Sequence, residues 1–408
     1  MTRLDPQPWM TAPEALKLMA ALGEARFVGG AVRNALIGKP VTEVDIATPL
    51  VPGEVEKRLA AAAIKAVPTG IGHGTITAVV DGRPFEVTTL RRDVETDGRR
   101  AVVAFTTDWA EDAQRRDFTM NALYASADGQ VLDTVGGIDD LKARRVRFVG
   151  DPVRRIREDY LRILRLFRFH AWYGAGEIDA AALKAVAQEA HGIAMLSGER
   201  VAKEMLRLLE AEDPVPAFKT MVHAAVLSEV LPAEPNLTRL ANLVAIDAAD
   251  GLASDPLLRL AALMPGPESA VPPVEFAHLL AERWKLSNAQ RERLETIARN
   301  DCVSLPLSGR DAHKLIYRLG SPRAADVFRL AWAENPTQSA AALLRSAGEW
   351  PAPRFPLGGA DAIKAGLPEG PLVGEVLADL EAWWIDGDFT ADRAALLDRL
   401  KKTVEAML

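Results

Sequence analysis

Two carboxylates two residues apart, Glu43 and Asp45, alternate with Val44 and Ile46. In an extended strand alternate side chains share a face, so this spacing predicts both acids on one side and both aliphatics on the other. Like charges held close are costly unless a cation neutralises them, and hard oxygen ligands favour Mg²⁺. Upstream, Gly29-Gly30 stands before a helix-compatible segment. A backbone bare of side chains lets a triphosphate lie close, with amides and Arg33 as anion ligands. Each element alone has an ordinary reading, a surface loop for the acids and a tight turn for the glycines. Glu86 falls on a later strand whose Phe85 and Val87 face the other way, which makes it a candidate third metal acid or simply an exposed strand residue. Arg115 and Arg116 add two guanidiniums for phosphate or ribose, with Asp117 and Asn121 as partners that can fix them.

A second constellation begins at Asp151-Pro152, an N-cap residue and a first-turn proline, and predicts one helix through Phe169. On such a helix Asp159 and Arg162 are neighbours, as are Arg162 and Arg165, while each three-residue step drifts backward and carries Arg168 about halfway round. Asp159 and Arg162 are the expected working pair. A carboxylate accepts and a guanidinium donates, so together they can meet the edges of a base, each good bidentate contact discriminating by about 1–3 kcal/mol. The alternative is an intrahelical ion pair.

Residues 1–140 mix strands with helices, and the chain after 150 reads as almost wholly helical. Arg26 to Val28 is a strand entering the glycines, Ala31 to Ile37 a helix stopped by Gly38, and Val44 to Ala47 the next strand. A helix from Pro52 to Ile64 follows, then strands Thr75 to Val80 and Arg83 to Leu90 around Asp81-Gly82, the dipeptide of a tight hairpin. Arg91 to Arg100 is too charged to bury and lacks a period, which predicts a mobile loop. Ser287 to Gln290 fits a capping box. Near the end, Trp383 and Trp384 read as core, and Cys302 as a small core residue.

The 408 residues, 49% hydrophobic and 26% charged, are those of an ordinary globular chain with room for several domains. No stretch approaches the roughly 20 apolar residues of a membrane span, and the first residues lack the apolar centre of a signal peptide, which predicts a cytoplasmic location and no membrane partner. One cysteine excludes an internal disulfide, and six scattered histidines give no zinc pattern. The net charge of −7 hides a local reversal: residues 141–170 hold ten Lys/Arg against three Asp/Glu. Such concentration suits a nucleic-acid partner met at one place.

In order along roughly residues 25–210, GGAVR from Gly29, Glu43-Val44-Asp45 with IAT, RRDFTMNAL from Arg115, DPVRR from Asp151 and EDYLRILR from Glu158 resemble the class II tRNA nucleotidyltransferase and poly(A) polymerase family. The resemblance implies an α+β protein: a polymerase-β-like nucleotidyltransferase head at 1–140, then an all-helical neck at 141–212 that selects the base, a body at 213–350 and a tail at 351–408 that hold tRNA. It implies transfer of CMP and AMP from CTP and ATP to a tRNA 3′-hydroxyl, with Mg²⁺ and loss of pyrophosphate. Carried over, Glu43 and Asp45 are catalytic metal acids. Gly29, Gly30, Arg33, Arg115, Arg116, Asp159, Arg162, Arg165 and Arg168 line the nucleotide site, and Ser197 to Arg200 with Glu204 resembles the later neck motif. Two positions depart from the pattern, Glu43 and Asn34 each standing where Asp is usual, and the first bears on metal geometry. Poly(A) polymerase, a partial C- or A-adding enzyme, and a tRNA-binding protein with an inactive head are the competing readings. The absence of an added basic tail favours CCA addition, and no His-Asp pair marks a fused phosphohydrolase. The 91–100 segment is the expected moving part.

Overall fold

The computed structural model describes residues 2–70, 72, 74–97 and 100–407. It divides into two compact units, one of residues up to 234 with 283–285, the other of 235–282 with the residues from 286 onward. The proposed neck thus falls in the same unit as the head.

The first unit is built on strands β1 (Arg26–Val28), β2 (Asp45–Thr48), β3 (Lys65–Gly70), β4 (Thr75–Val80), β5 (Arg83–Thr89), β8 (Leu123–Ala125) and β9 (Val131–Asp133), in the order β3-β4-β5-β2-β1-β8-β9. The β2–β5 pairing is parallel and the other pairings are antiparallel. Alternation does what the sequence demands: Ile76, Ala78 and Val80 of β4 and Phe85 and Val87 of β5 are buried. Helices Pro13–Leu22 and Pro52–Ala61 pack against each other and β4, burying Leu18, Leu22, Val55 and Leu59. Asp81 and Gly82 both take positive φ, 49° and 84°, as a two-residue turn between twisted strands requires.

Two expectations fail locally. Arg91 to Arg100 is not a loop: β6 (Arg91–Asp97) pairs antiparallel with β7 (Arg100–Phe105), and only residues 98 and 99 of the expected loop lie outside the described residues. The β-prone partner Ala101 to Phe105 supplies the ladder that this charged segment cannot supply alone. The single helix expected over 151–169 is two, Pro152–Glu158 and Leu161–Tyr173, broken where Asp159 adopts φ −158° and ψ 105°. The Asp159 carboxylate accepts from the Leu161 N–H at 3.1 Å and opens the second helix.

The second unit is helical. Ser287 and Gln290 form the expected capping box. Arg239, buried, donates to the carbonyls of Ala261, Ala262 and Met264 and so closes the C-terminal end of helix Pro256–Ala262. Leu357, Leu367, Leu380, Trp384 and Leu400 form a separate core near the end. Of the two tryptophans read as core, only Trp384 is (4% exposed); Trp383 is 37% exposed beneath Arg399, because adjacent helical residues point about 100° apart. Cys302 is exposed, in the turn after helix Asn288–Arg299 rather than on a packed face.

Candidate active site

β1 runs into Gly29, whose φ of 66° and ψ of −121° turn the chain directly into helix Gly30–Leu36. A Cβ there would touch nothing closer than 3.7 Å, so the backbone conformation, not space, requires glycine. Arg33, on that helix, is 7% exposed, and it donates from Nε and Nη2 to Asn34 Oδ1 at 3.1 and 2.9 Å. Its Nη1 donates to Asn121 Oδ1 at 2.5 Å and its Nη2 to the Tyr173 hydroxyl at 2.8 Å, with the guanidinium 4.1 Å from the Tyr173 ring centre.

Glu43 and Asp45 are exposed, and Val44 and Ile46 between and beyond them are buried. The acids therefore share one side, although only Asp45 belongs to β2. In β5, Glu86 stands in register with Asp45. Asp45 keeps an edge in solvent while its carboxyl is hemmed in by protein. Desolvation first, then the charges of Glu86 and Glu43, push it up to about 6 against the pull of Arg116. Among the described residues no group of three or more His, Cys, Asp or Glu is placed so that it could hold a metal ion. What exists is an open, mutually repelling set of acids, and the mutual repulsion at Asp45 is what a bound dication would relieve. The donor set fits a hard cation.

Arg116 approaches the same place from the other side, its Nη1 within 3.9 Å of where a Gly29 Cβ would be. Behind it lies Asp112, fully buried, which accepts from Arg115, Arg116 and the Tyr124 hydroxyl. Although burial opposes it, Arg116 and Arg115 hold Asp112 down to about 2.

Asp117 joins this sheet unit to the helices. It accepts from Asn121 Nδ2 at 3.0 Å and from Arg165 Nε at 2.8 Å, and Arg165 and Arg168 in turn meet Glu204 at 3.6 and 2.5 Å. A continuous chain of polar contacts thus runs from Arg33 through Asn121, Asp117 and Arg165 to Glu204 and Arg168. Burial pushes Asp117 up, yet Arg165, Asn121 and the Phe118 N–H together hold it well below the carboxylate range. Arg168 also lines a cleft of about 470 Å³ with Gly30, Arg33, Glu43 and Tyr173.

The Arg162 N–H donates to the Asp159 carbonyl at 3.0 Å, but the two side chains, expected as the working pair for a base, do not form the alternative ion pair with each other. The break at 159 turns the carboxylate to Arg200 Nη2 at 2.7 Å, and Arg162 Nη1 meets Glu158 Oε2 at 2.6 Å and the Arg155 carbonyl at 2.7 Å. Arg162 Nη2 also approaches the Arg115 carbonyl at 3.4 Å, which brings it to the arginine pair. Asp112 and Tyr173 were missed by sequence reasoning. Asp112 precedes Arg115 and Arg116 by three and four residues, the spacing of helical neighbours, and that signal was available.

Comparison with known proteins gives a consistent result. Residues 25–147 match the family described as "Poly A polymerase head domain", and residues 177–236 one described as "Probable RNA and SrmB- binding site of polymerase A". The chain is 35% identical to the mouse "CCA tRNA nucleotidyltransferase 1, mitochondrial" over 93% of its own length and 87% of that protein's. It is 32% identical to a "CCA-adding enzyme" of Lacticaseibacillus paracasei over 96% and 93%. Among solved structures, the Bacillus stearothermophilus CCA-adding enzyme in complex with CTP superposes with a TM-score of 0.77 at 26% identity, covering 99% of each chain. On motifs, fold and full-length likeness together, the chain belongs to the family of class II CCA-adding enzymes and poly(A) polymerases.

Proposed function

We infer that the protein is a CCA tRNA nucleotidyltransferase, which extends tRNA 3′ ends with C, C and A by transferring CMP and AMP from CTP and ATP and releasing pyrophosphate. The observation that carries this reading over poly(A) polymerase is that the likeness to CCA-adding enzymes runs through 93–96% of the chain, beyond the head that the two activities share.

In the reading we propose, the head is residues 1–140, the neck 141–212, the body 213–350 and the tail 351–408. Asp45, with Glu43 and Glu86, would hold Mg²⁺, which when bound supplies charge neutralisation for the triphosphate and acidity for the attacking hydroxyl. Gly29 and Gly30 let the nucleotide phosphates approach the backbone. Arg33, Arg115 and Arg116 bring positive charge to those phosphates, each already held by protein acceptors. Asp159 and Arg162 present acceptor and donor atoms to the base in place of a template strand. Arg165 and Arg168, tied to Asp117 and Glu204, keep the helix that carries Arg162 in place against the sheet.

No helix is long and apolar enough to cross a membrane among the described residues. A cytoplasmic site of action, where precursor tRNA is met, is part of the proposal, and fractionation tests it. The central experiment incubates purified protein with tRNA ending at the discriminator base, Mg²⁺ and single or mixed nucleotides. Addition of two C from CTP alone, and of C, C and A from the mixture, is expected. Long A tracts would mean poly(A) polymerase, and tRNA binding without extension would mean an inactive head.

A further inference from the structure

Asp112 lies on helix Trp109–Gln114 with 0% of its surface exposed, yet its two oxygens meet donors from three separate parts of the chain. Oδ1 accepts from Arg115 Nε at 2.8 Å and from the Arg91 backbone N–H at 3.2 Å. Oδ2 accepts from Arg116 Nε and Nη2 at 3.2 and 3.0 Å and from the Tyr124 hydroxyl at 2.6 Å. That hydroxyl itself accepts from Arg116 Nε at 3.1 Å, so Arg116 is gripped by two oxygens on one side. One oxygen of the carboxylate is thereby allotted to each arginine, and their relative orientation is fixed.

The charges do not balance. At Asp112 itself one carboxylate faces two guanidiniums, so the second positive charge is left to act beyond it, on Asp45, whose carboxyl Arg116 pulls down. That surplus is directed toward the turn at Gly29, beside which Arg116 Nη1 lies. A carboxylate needed only to fill the core would be served as well by an apolar side chain of its size. One that aligns two cations and leaves their sum positive prepares a seat for a polyanion. An arginine already held also loses little freedom on meeting phosphate, so the benefit falls on nucleotide binding.

We propose that Asp112 is a positioning residue for nucleotide transfer: it fixes Arg115 and Arg116 as a rigid two-cation platform for the triphosphate, with Tyr124 completing the grip on Arg116. The proposal rests on the nucleotidyltransfer reading above. Asp112 touches no substrate and acts through the arginines.

The test is a double-mutant cycle on the full chain, reading KM separately for CTP, ATP and tRNA. Asp112→Asn is expected to raise the KM of both nucleotides about tenfold and leave the KM of tRNA within about twofold. In the background of Arg116→Ala the same change is expected to add less than about twofold, because its route to the nucleotide is already gone. Multiplicative losses, or a tRNA KM that rises in step, overturn the proposal. Should Asp112→Asn not fold, Tyr124→Phe removes one donor to Asp112 and one acceptor of Arg116 while leaving every charge. It is expected to raise nucleotide KM about threefold, again absorbed by Arg116→Ala, and additivity overturns the proposal here too. An Arg116→Ala enzyme with unchanged nucleotide KM would overturn it together with the arginine assignment, and a wild-type protein that adds no nucleotide would remove the reaction itself. Additive losses in an active enzyme remove the role of Asp112 alone.

Discussion

Asp45 and Glu86 stand in register across the parallel pairing of β2 with β5, so that two carboxylates occupy neighbouring positions on one face of the sheet. Glu43, two residues earlier on the same side, adds a third negative charge. The sheet order makes this possible, since β3 and β4 and the helix before them are all threaded between β2 and β5 in sequence but leave those two strands adjacent in space.

Asp45→Asn should separate activity from stability. The folded carboxyl is raised from its ordinary 3.8 to about 6, so its contribution to stability is greatest below about pH 4 and is lost as pH rises through 6. Asparagine never carries the charge. In chelator-treated protein at pH 7.5 the variant should melt roughly 1–4 °C above wild type, the repulsion being partly screened at this solvent-facing edge, and the gain should vanish near pH 4. Nucleotide addition should be abolished with tRNA binding nearly intact. A lower Tm at pH 7.5, or retained turnover, would sink the assignment.

Asp117→Asn should do the opposite. Arg165, Asn121 and the Phe118 N–H keep this carboxylate ionised far below its ordinary pKa, so its contribution is present above about pH 4 and is lost as pH falls below it. Removing the charge strands Arg165 against Glu204 alone. A loss of about 3–5 kcal/mol at pH 7 is expected by urea unfolding, narrowing below pH 4. An equal loss at both pH values would show that packing rather than charge links these elements.

Arg162→Ala should blur the choice of base while leaving the phosphates held by other residues. The ratio of kcat/KM for C over A at the third position, and misincorporation of U or G, should change by roughly tenfold or more, within the range of one bidentate base contact. Asp159→Ala should act similarly and free Arg200. Selectivity unaltered in both would mean that the pairs Arg162–Glu158 and Asp159–Arg200 are structural ends in themselves.

Much of this was readable in residue order. The β1 strand, the Gly29 turn, the Asp81-Gly82 hairpin and the capping box at Ser287 are local, and each is set by a few neighbouring residues. The hairpin at 91–105 was not readable from Arg91 to Arg100, since a strand of alternating charge is recognised only by the partner that bonds it. The helix break at Asp159 was hidden for a related reason. Helical periodicity continues unbroken through Leu161, and neither the local bond from the Leu161 N–H to the Asp159 carboxylate nor its pairing with Arg200 disturbs that period. Candidate site residues named by their chemistry, such as Arg33 and Asp45, stood out in the sequence. Residues that hold them, such as Asp112 and Tyr173, are chemically ordinary until folding brings the arginines onto them.

The two adjacent tryptophans near the end offer a test of the last core. Trp384 is buried among Leu380, Leu396 and Leu400, its Nε1 donates to the Ala391 carbonyl at 2.9 Å, and Tyr317 meets its ring edge-on at 5.9 Å. Trp384→Ala removes the largest side chain of this cluster and should cost about 3–5 kcal/mol, read as an earlier unfolding transition of the second unit. Trp383 is 37% exposed, with Arg399 stacked over it at 4.3 Å. Trp383→Ala should therefore cost less than about 1 kcal/mol. Equal losses at the two sites would contradict the packing, and a loss of tRNA affinity confined to Trp383→Ala would make that exposed ring an RNA contact instead of a bystander.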